Sequence, residues 1–279
     1  MTGAAALGLP PLREVIARHG LDARRSLGQH FLTDLNLTDR IARAAGDLTG
    51  VAVIEVGPGP GGLTRSLLAA GAPLVVAVEK DARCVAALND LAVAFADRLR
   101  VVEADALTVD VRALAPPPRK IVANLPYNVG TPLLLGWLRD AGAFAGLTLM
   151  FQKEVADRLT ARPGERTYGR LSVIAQWLCD VRHDFNVDAR AFVPPPKVGS
   201  AVVTLVPRPR PLAEAAWATL EAVTAAAFGQ RRKMLRGSLR ALGLDPADCG
   251  IDPTRRAEEL SVEEFCALAR TLAERRRTP

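Results

Sequence analysis

Four consecutive residues, Asn124-Leu125-Pro126-Tyr127, supply the groups that an aromatic amine needs before it can act as a nucleophile. The exocyclic N6 amine of adenine is unreactive because its lone pair is delocalised into the ring. An asparagine side-chain oxygen and a neighbouring backbone carbonyl accept both amine hydrogens and draw the nitrogen toward a pyramidal state. Its lone pair then points at an electrophile, so positioning replaces the need for a strong base. Proline fixes the local shape and removes a competing N–H. The tyrosine ring can stack on a base taken out of its helix, as enzymes that modify bases require. Taken alone, these four residues are also an ordinary exit from strand to turn, where Asn and Pro are common.

A second constellation lies upstream. Gly57-Pro58-Gly59-Pro60-Gly61-Gly62 follows Glu55 and Val56, and Gly57, Gly59 and Gly62 satisfy the G-x-G-x-x-G spacing. Such glycines permit a tight turn and the close approach of an adenosine cofactor to the backbone. The spacing does not separate a dinucleotide from S-adenosylmethionine. Glu55 favours the latter, because a carboxylate repels a pyrophosphate and attracts the cationic amino acid end of S-adenosylmethionine. Glu79, about 20 residues beyond the loop, stands where an acid accepts hydrogen bonds from ribose hydroxyls. Asp105 is placed to take the adenine amino group of the cofactor. Strand-end acids are otherwise solvated or cap the next helix, and Glu79 alone fits that reading as well as the ribose one. Three of them in register at successive strand ends favour a cofactor site.

Such residues need strands that end at them. The runs 51–56, 74–79, 99–103, 121–124 and 147–151 are nearly all apolar, the pattern of buried parallel strands. Helical patterns at 63–70 and 82–95 alternate with the early strands, giving an α/β, Rossmann-like doubly wound sheet with ligands at the carboxyl ends of its strands. Residues 115–120, with three successive prolines, read as a loop, and 182–187 and 201–206 supply two late strands for an antiparallel edge. The run Pro-Arg-Pro-Arg-Pro at 207–211 ends this pattern, and 212–228, 233–242 and 262–275 have helical spacing only. The expected organisation is an S-adenosylmethionine-dependent methyltransferase domain over 1–211 and a small all-helical, RNA-binding domain over 212–279.

The 279 residues carry 36 Lys and Arg against 30 Asp and Glu, a net charge of +6 that suits a polyanionic partner. With 49% apolar residues, a full core forms without disulfides or metals. Cys84, Cys179, Cys249 and Cys266 make no C-x-x-C pair and have no histidines at ligand spacing, so reduced thiols and no metal are expected. Residues 1–10 lack the charged start of a signal peptide, and no apolar run reaches the ~20 residues of a membrane span. A cytoplasmic protein is expected.

Four stretches occur in one order: Arg25-Ser26-Leu27-Gly28-Gln29-His30-Phe31-Leu32, Glu55-Val56-Gly57-Pro58-Gly59-Pro60-Gly61, Asn124-Leu125-Pro126-Tyr127, and Phe192-Val193-Pro194-Pro195-Pro196-Lys197-Val198. Together they resemble the ribosomal RNA adenine dimethyltransferase family, and within it the bacterial small-subunit branch. Phe151-Gln152-Lys153-Glu154-Val155 and Gly229-Gln230-Arg231-Arg232-Lys233 add to the resemblance, which runs from Leu21 to the last helix. It implies transfer of methyl groups from S-adenosylmethionine to two adjacent adenosines near the 3′ end of small-subunit (16S) RNA during ribosome assembly. It implies a cofactor set of Gln29, His30, Leu32, Gly57, Gly59, Glu79, Lys80, Asp105, Ala106 and Asn124, with His30 and Leu32 closing over the cofactor. The target adenine falls to Asn124, Leu125, Pro126 and Tyr127, with Phe192 on its other face. Many members carry Asn where this chain has His30. Both side chains donate a hydrogen bond, and a histidine there makes cofactor affinity depend on pH near neutrality.

Arg232, Arg236 and Arg240 recur at helical spacing with Lys233 on the same side, and Leu235, Leu239 and Leu242 form a neighbouring stripe. No acid falls between Gln230 and Arg240, so a stripe facing RNA phosphates is expected rather than a merely solvated face. Residues 275–277 read as a frayed tail. The expected partner is small-subunit ribosomal RNA or an assembly intermediate of that subunit, met by a monomer without membrane attachment. Three rival classes stay open. A drug-resistance dimethylase of large-subunit RNA shares every catalytic motif. A nicotinamide-dependent oxidoreductase uses the glycine loop but leaves the 124–127 tetrapeptide unexplained. A non-catalytic RNA-binding assembly factor fits the scaffold, although intact Asn124 and Tyr127 speak against it.

Overall fold

Five apolar runs become adjacent parallel strands in the computed structural model, which describes residues 3–21 and 30–277. They are β2 (Ala52–Val56), β3 (Val75–Glu79), β4 (Leu99–Glu103), β5 (Arg119–Asn124) and β6 (Gly146–Gln152). The late strands β7 (Cys179–Val187) and β9 (Ser200–Pro207) complete a seven-stranded sheet in the order β4-β3-β2-β5-β6-β9-β7, with β9 antiparallel to β6. Every residue of β2 and β3 is buried, as expected of parallel strands covered on both faces. From β2 the order runs to β3 and β4 on one side and to β5 and β6 on the other. The order therefore reverses between β2 and β5, and a doubly wound sheet binds its ligands at that switch point.

The connecting helices begin at defined points. Asp34 caps α2 (Leu35–Ala44) by accepting from the Asn36 N–H at 2.9 Å, and Asp81 caps α4 (Ala82–Ala94) by accepting from Arg83 at 3.1 Å. Between them, α3 (Gly62–Ala69) follows the glycine loop with no side-chain cap among the described residues. A two-stranded antiparallel ribbon of β1 (Phe31–Leu32) and β8 (Phe192–Val193) stands outside the main sheet. Cys84, Cys179 and Cys266 are free and buried, and burial pushes each thiol up to about 12, so all three are unreactive at neutrality.

The chain forms two compact units, Met1–Ala156 with Arg182–Val206, and Asp157–Val181 with Pro207–Pro279. The break between Val206 and Pro207 lies close to the boundary read near Pro211. The segment Asp157–Val181, with α7 (Arg170–Leu178), belongs to the helical unit, where α7 packs with α8 (Trp217–Gly229) and α10 (Val262–Arg277). The helix expected from residue 212 starts at Trp217, because the Leu212 N–H is turned to the Trp177 carbonyl at 2.8 Å.

Two further expectations are corrected in this unit. The helix read over 233–242 is only α9 (Leu235–Ser238) followed by a 3-10 turn (Arg240–Leu242). Its N–H groups go elsewhere: Leu235 donates to Arg255 at 2.8 Å, Arg236 to Pro253 at 3.1 Å, and Met234 bridges to Arg256. Arg232, Lys233, Arg236 and Arg240 are all exposed but do not form one helical stripe. The second correction is at the end of α10, which stays helical to Arg277, with Arg275 held by Asp248 and the Gly243 carbonyl. Among the described residues no helix is long and apolar enough to cross a membrane.

Candidate functional site

A cavity opens at the carboxyl ends of β2 to β5, lined by His30, Gly57, Glu79, Asp105, Asn124 and Tyr127 among others. Its floor is the glycine loop, packed directly under β1. Gly59 lies at φ +56°, and a Cβ there would stand 3.1 Å from the Phe31 ring. A Cβ on Gly62 would stand 2.7 Å from the Leu32 carbonyl oxygen, so only glycine lets the ribbon close on the loop. On its other side the loop backs onto the tetrapeptide: a Cβ on Gly57 would touch Pro126 Cδ at 3.6 Å. The two motifs that look separate in sequence are one surface.

Glu79 ends β3 with its carboxylate buried. Oε2 accepts from the Gly59 N–H at 3.0 Å, and Oε1 accepts from the Lys80 and Asp81 N–H groups at 2.8 and 2.9 Å. Burial pushes its pKa up and the three backbone donors pull against that rise. A carboxylate offers about four acceptor positions, so the same group that shapes the loop keeps capacity for a ribose hydroxyl. Asp105 accepts from the Lys80 ammonium at 2.7 Å and from the Leu107 N–H at 3.0 Å. Those two bonds hold its carboxyl below the usual range. Lys80 thus orients Asp105, a pairing that sequence spacing alone did not indicate. Ala106 and Leu107 line the same wall.

Glu55 behaves differently from the charged group read in the sequence. It is fully buried beneath the loop and accepts from Thr64 Oγ1 at 2.6 Å. Burial raises its pKa from 4.5 to about 8, with Glu79 nearby adding to the rise, so the side chain is a neutral acid at pH 7. Attraction to a cationic amino acid end begins only when that proton leaves. A raised pKa in the folded state means native stability is full below about 4.5 and falls as pH climbs through about 8. Glu55→Gln, which cannot ionise, is expected to melt at nearly constant temperature from pH 6.5 to 9, while the native protein loses stability over that interval. Parallel melting curves would show that Glu55 does not titrate there.

At the end of β5 the Asn124 Nδ2 donates to the His30 carbonyl at 3.3 Å. That bond orients the amide and leaves Oδ1 as its open acceptor toward the cavity among the described residues. The Pro126 carbonyl is taken by the Val129 and Gly130 N–H groups at 3.1 and 3.0 Å, which leaves the Leu125 carbonyl as the neighbouring acceptor. The Tyr127 hydroxyl bonds Ser200 Oγ at 2.6 Å, fixing the ring, and partial burial raises its pKa. Leu32, Gly59, Lys80 and Ala106 all line the cavity, whereas Gln29 lies outside the described residues. Phe192 is 2% exposed, sits in the core with Leu32, and does not line the cavity. Reasoning from sequence missed Thr64, whose bond to Glu55 depends on packing beneath the loop, whereas Phe31, carried within the first motif, packs on Gly59. Among the described residues no cluster of three His, Cys, Asp or Glu side chains could hold a metal ion.

The donor set fits S-adenosylmethionine: Glu79 and Asp105 present acceptors at two strand ends, beside a buried acid and a helix start without a side-chain cap at a glycine loop. When bound, that molecule supplies a methyl group on a positively charged sulfur. The model of a family described as ribosomal RNA adenine dimethylase matches residues 20–274. The chain is 65% identical over 268 residues to "Ribosomal RNA small subunit methyltransferase A" of Rhodospirillum rubrum, covering 95% of this chain and 93% of that protein. It is 66% identical over 269 residues to the protein of the same name in Paramagnetospirillum magneticum, covering 95% of each. Among solved structures it is similar to a dimethyladenosine transferase from Plasmodium falciparum, with TM-score 0.74, 25% identity, and coverage of 88% of this chain and 98% of that one. It is also similar to the 23S rRNA methyltransferase ErmE, with TM-score 0.67, 29% identity, and coverage of 87% and 99%.

Proposed function

The chain belongs to the ribosomal RNA adenine dimethylase family, and from that premise we propose that it dimethylates the N6 amines of two adjacent adenosines near the 3′ end of small-subunit ribosomal RNA. It is an S-adenosylmethionine-dependent enzyme. The observation that carries the reading is the Asn124 amide, whose nitrogen is committed to His30 and whose oxygen is left open beside the cofactor loop. Asn124 Oδ1 and the Leu125 carbonyl accept the two N6 hydrogens, and Tyr127 stacks on the base. Gly57, Gly59, Glu79, Lys80, Asp105 and Ala106 would hold the cofactor near the reversal point between β2 and β5, where it would supply the methyl group for the amine oriented by Asn124.

Two relatives with 65–66% identity are named for the small subunit, whereas the large-subunit enzyme is 29% identical, which favours the former substrate. We take the substrate to be a folded small-subunit RNA or assembly intermediate, met by a cytoplasmic monomer. The cavity supplies one stacking site for one flipped base and no repeated aromatic platform for tracking a single strand. Methyl transfer to small-subunit particles, large-subunit RNA and a short single-stranded RNA tests this. Activity confined to the first supports the proposal, and preference for either of the others overturns it.

The exposed side chains of Arg232, Lys233, Arg236 and Arg240 are proposed as phosphate contacts of the helical unit. Although they do not share one stripe, phosphates set by RNA shape can be met by separated cations. Neutralising all four is expected to weaken binding to particles and to flatten the slope of log affinity against log salt by up to about 3. Cofactor affinity should not change. Superimposable salt slopes for the native and quadruple variants would make these groups solvated only.

A further inference from the structure

The connection between β8 and β9 carries an exposed apolar knuckle. Val193 is 55% exposed and Val198 47% exposed, and Pro194 and Pro195 between them are exposed as well. Single apolar side chains are ordinary on a protein surface, but several on one short loop mark a contact. Both ends of this loop are fastened to residues that line the cavity. The His30 Nδ1 donates to the Pro194 carbonyl at 2.8 Å, and Ser200 Oγ bonds the Tyr127 hydroxyl at 2.6 Å. The Lys153 N–H donates to the Gly199 carbonyl at 2.9 Å. Three successive prolines stiffen the span, and Pro196 is buried. The knuckle is therefore shaped before any substrate arrives. Lys197 is exposed within it, and no acid occurs from Ala189 to Gly199, which suits a polyanionic partner.

We propose that Val193, Pro194, Pro195 and Val198 cover the face of the base next to the target adenine, filling the gap that opens when the target leaves its stack. The inference rests on the reading of Asn124 and Tyr127 as the adenine site. RNA turns phosphates and sugars outward, and neither matches a valine. Its apolar surface is the faces of its bases, which stacking hides. Withdrawing one adenine bares the face beside it, and that loss of stacking opposes the flip. Apolar wedges, proline among them, take such a place where proteins unstack DNA. Because the loop is tied to His30 and Tyr127, a base in the cavity and a base on the knuckle can belong to neighbouring nucleotides. The contact forms only with the target withdrawn, so it acts on methyl transfer more than on binding of the particle. A preformed knuckle also adds little ordering cost.

The test is a cycle that pairs a change in the protein with a change in the RNA. Small-subunit particles carry one methylatable adenosine, its partner in the pair being 2-aminopurine, which keeps a base but lacks the N6 amine. In two further particles the base on the 5′ or the 3′ side of that adenosine is replaced by an abasic sugar. The double variant Val193→Ser, Val198→Ser is expected to lower kcat/KM about tenfold on the particle with both neighbours. Where the covered neighbour is abasic, the same variant should cost less than about twofold, because no face is left to cover. Thermal melting identifies a serine pair that fails to fold, and Val193→Ala with Val198→Ala then carries the comparison. An equal loss on the intact and both abasic particles overturns the proposal and places the knuckle against a protein or another part of the RNA. No loss on any particle overturns it too. Tyr127→Ala runs in parallel on the intact particle. If it lowers turnover and the valine variants do not, only the knuckle fails; if it leaves turnover unchanged, the adenine site itself is misassigned.

Discussion

Asn124→Ala is expected to cut turnover on small-subunit particles about 10²–10³-fold, the usual cost of removing one preorganised hydrogen bond at a reacting atom. Cofactor affinity should stay within a few-fold. The reason lies in which state the amide touches. Oδ1 gains most when the N6 nitrogen turns pyramidal and its hydrogens become more acidic, so the bond strengthens on the way to the transition state. A loss in kcat with little change in substrate affinity is the signature of such a group. Asn124 also ties β5 to the start of β1 through the His30 carbonyl, so part of any damage would be structural. Melting temperature separates the two: a variant that melts like the native protein and still turns over normally would remove Asn124 from the reaction.

Glu79→Ala should weaken S-adenosylmethionine binding at least as severely as any other single change in the cavity. A hydrogen bond to a charged group contributes about 1.5–3 kcal/mol, or roughly 10–150-fold in affinity. Glu79 has a second task that adds to this. Its carboxylate gathers the N–H groups of Gly59, Lys80 and Asp81, and alanine would release all three and loosen the loop under the cofactor. Glu79→Gln is the informative companion, because its amide keeps one acceptor and introduces a donor against backbone N–H groups. Calorimetry on folded Glu79→Ala that returns native affinity would exclude the residue from the site.

The parts of this site legible in the sequence were those built from one local run. The apolar stretches before Gly57, Glu79, Asp105 and Asn124 are strands whose ends lie side by side, and parallel order follows from helices between them. What was not legible depends on long separation or on burial. The β1–β8 ribbon has two residues per strand, and its His30–Pro194 bond joins positions 164 apart. Nothing in the local pattern marks either strand. Glu55 shows the same limit: its place before the loop was plain, but its protonation depends on complete burial that only packing reveals. In the helical unit, the spacing of Arg232, Arg236 and Arg240 suggested a helix, and the backbone pairing of Met234 to Arg236 with residues 253–256 prevented it. Segment Asp157–Val181 carries no compositional break, so its membership of the second unit was invisible to a reading in chain order.

The most direct measurement of the central claim is mass analysis of nucleosides from small-subunit particles incubated with this protein and S-adenosylmethionine bearing a deuterated methyl. The proposed function predicts label in N6,N6-dimethyladenosine from two adjacent positions near the 3′ end, and the site geometry predicts its near-complete loss with Asn124→Ala despite retained cofactor binding. Label on another base, on another atom of adenine, or undiminished with Asn124→Ala would contradict it.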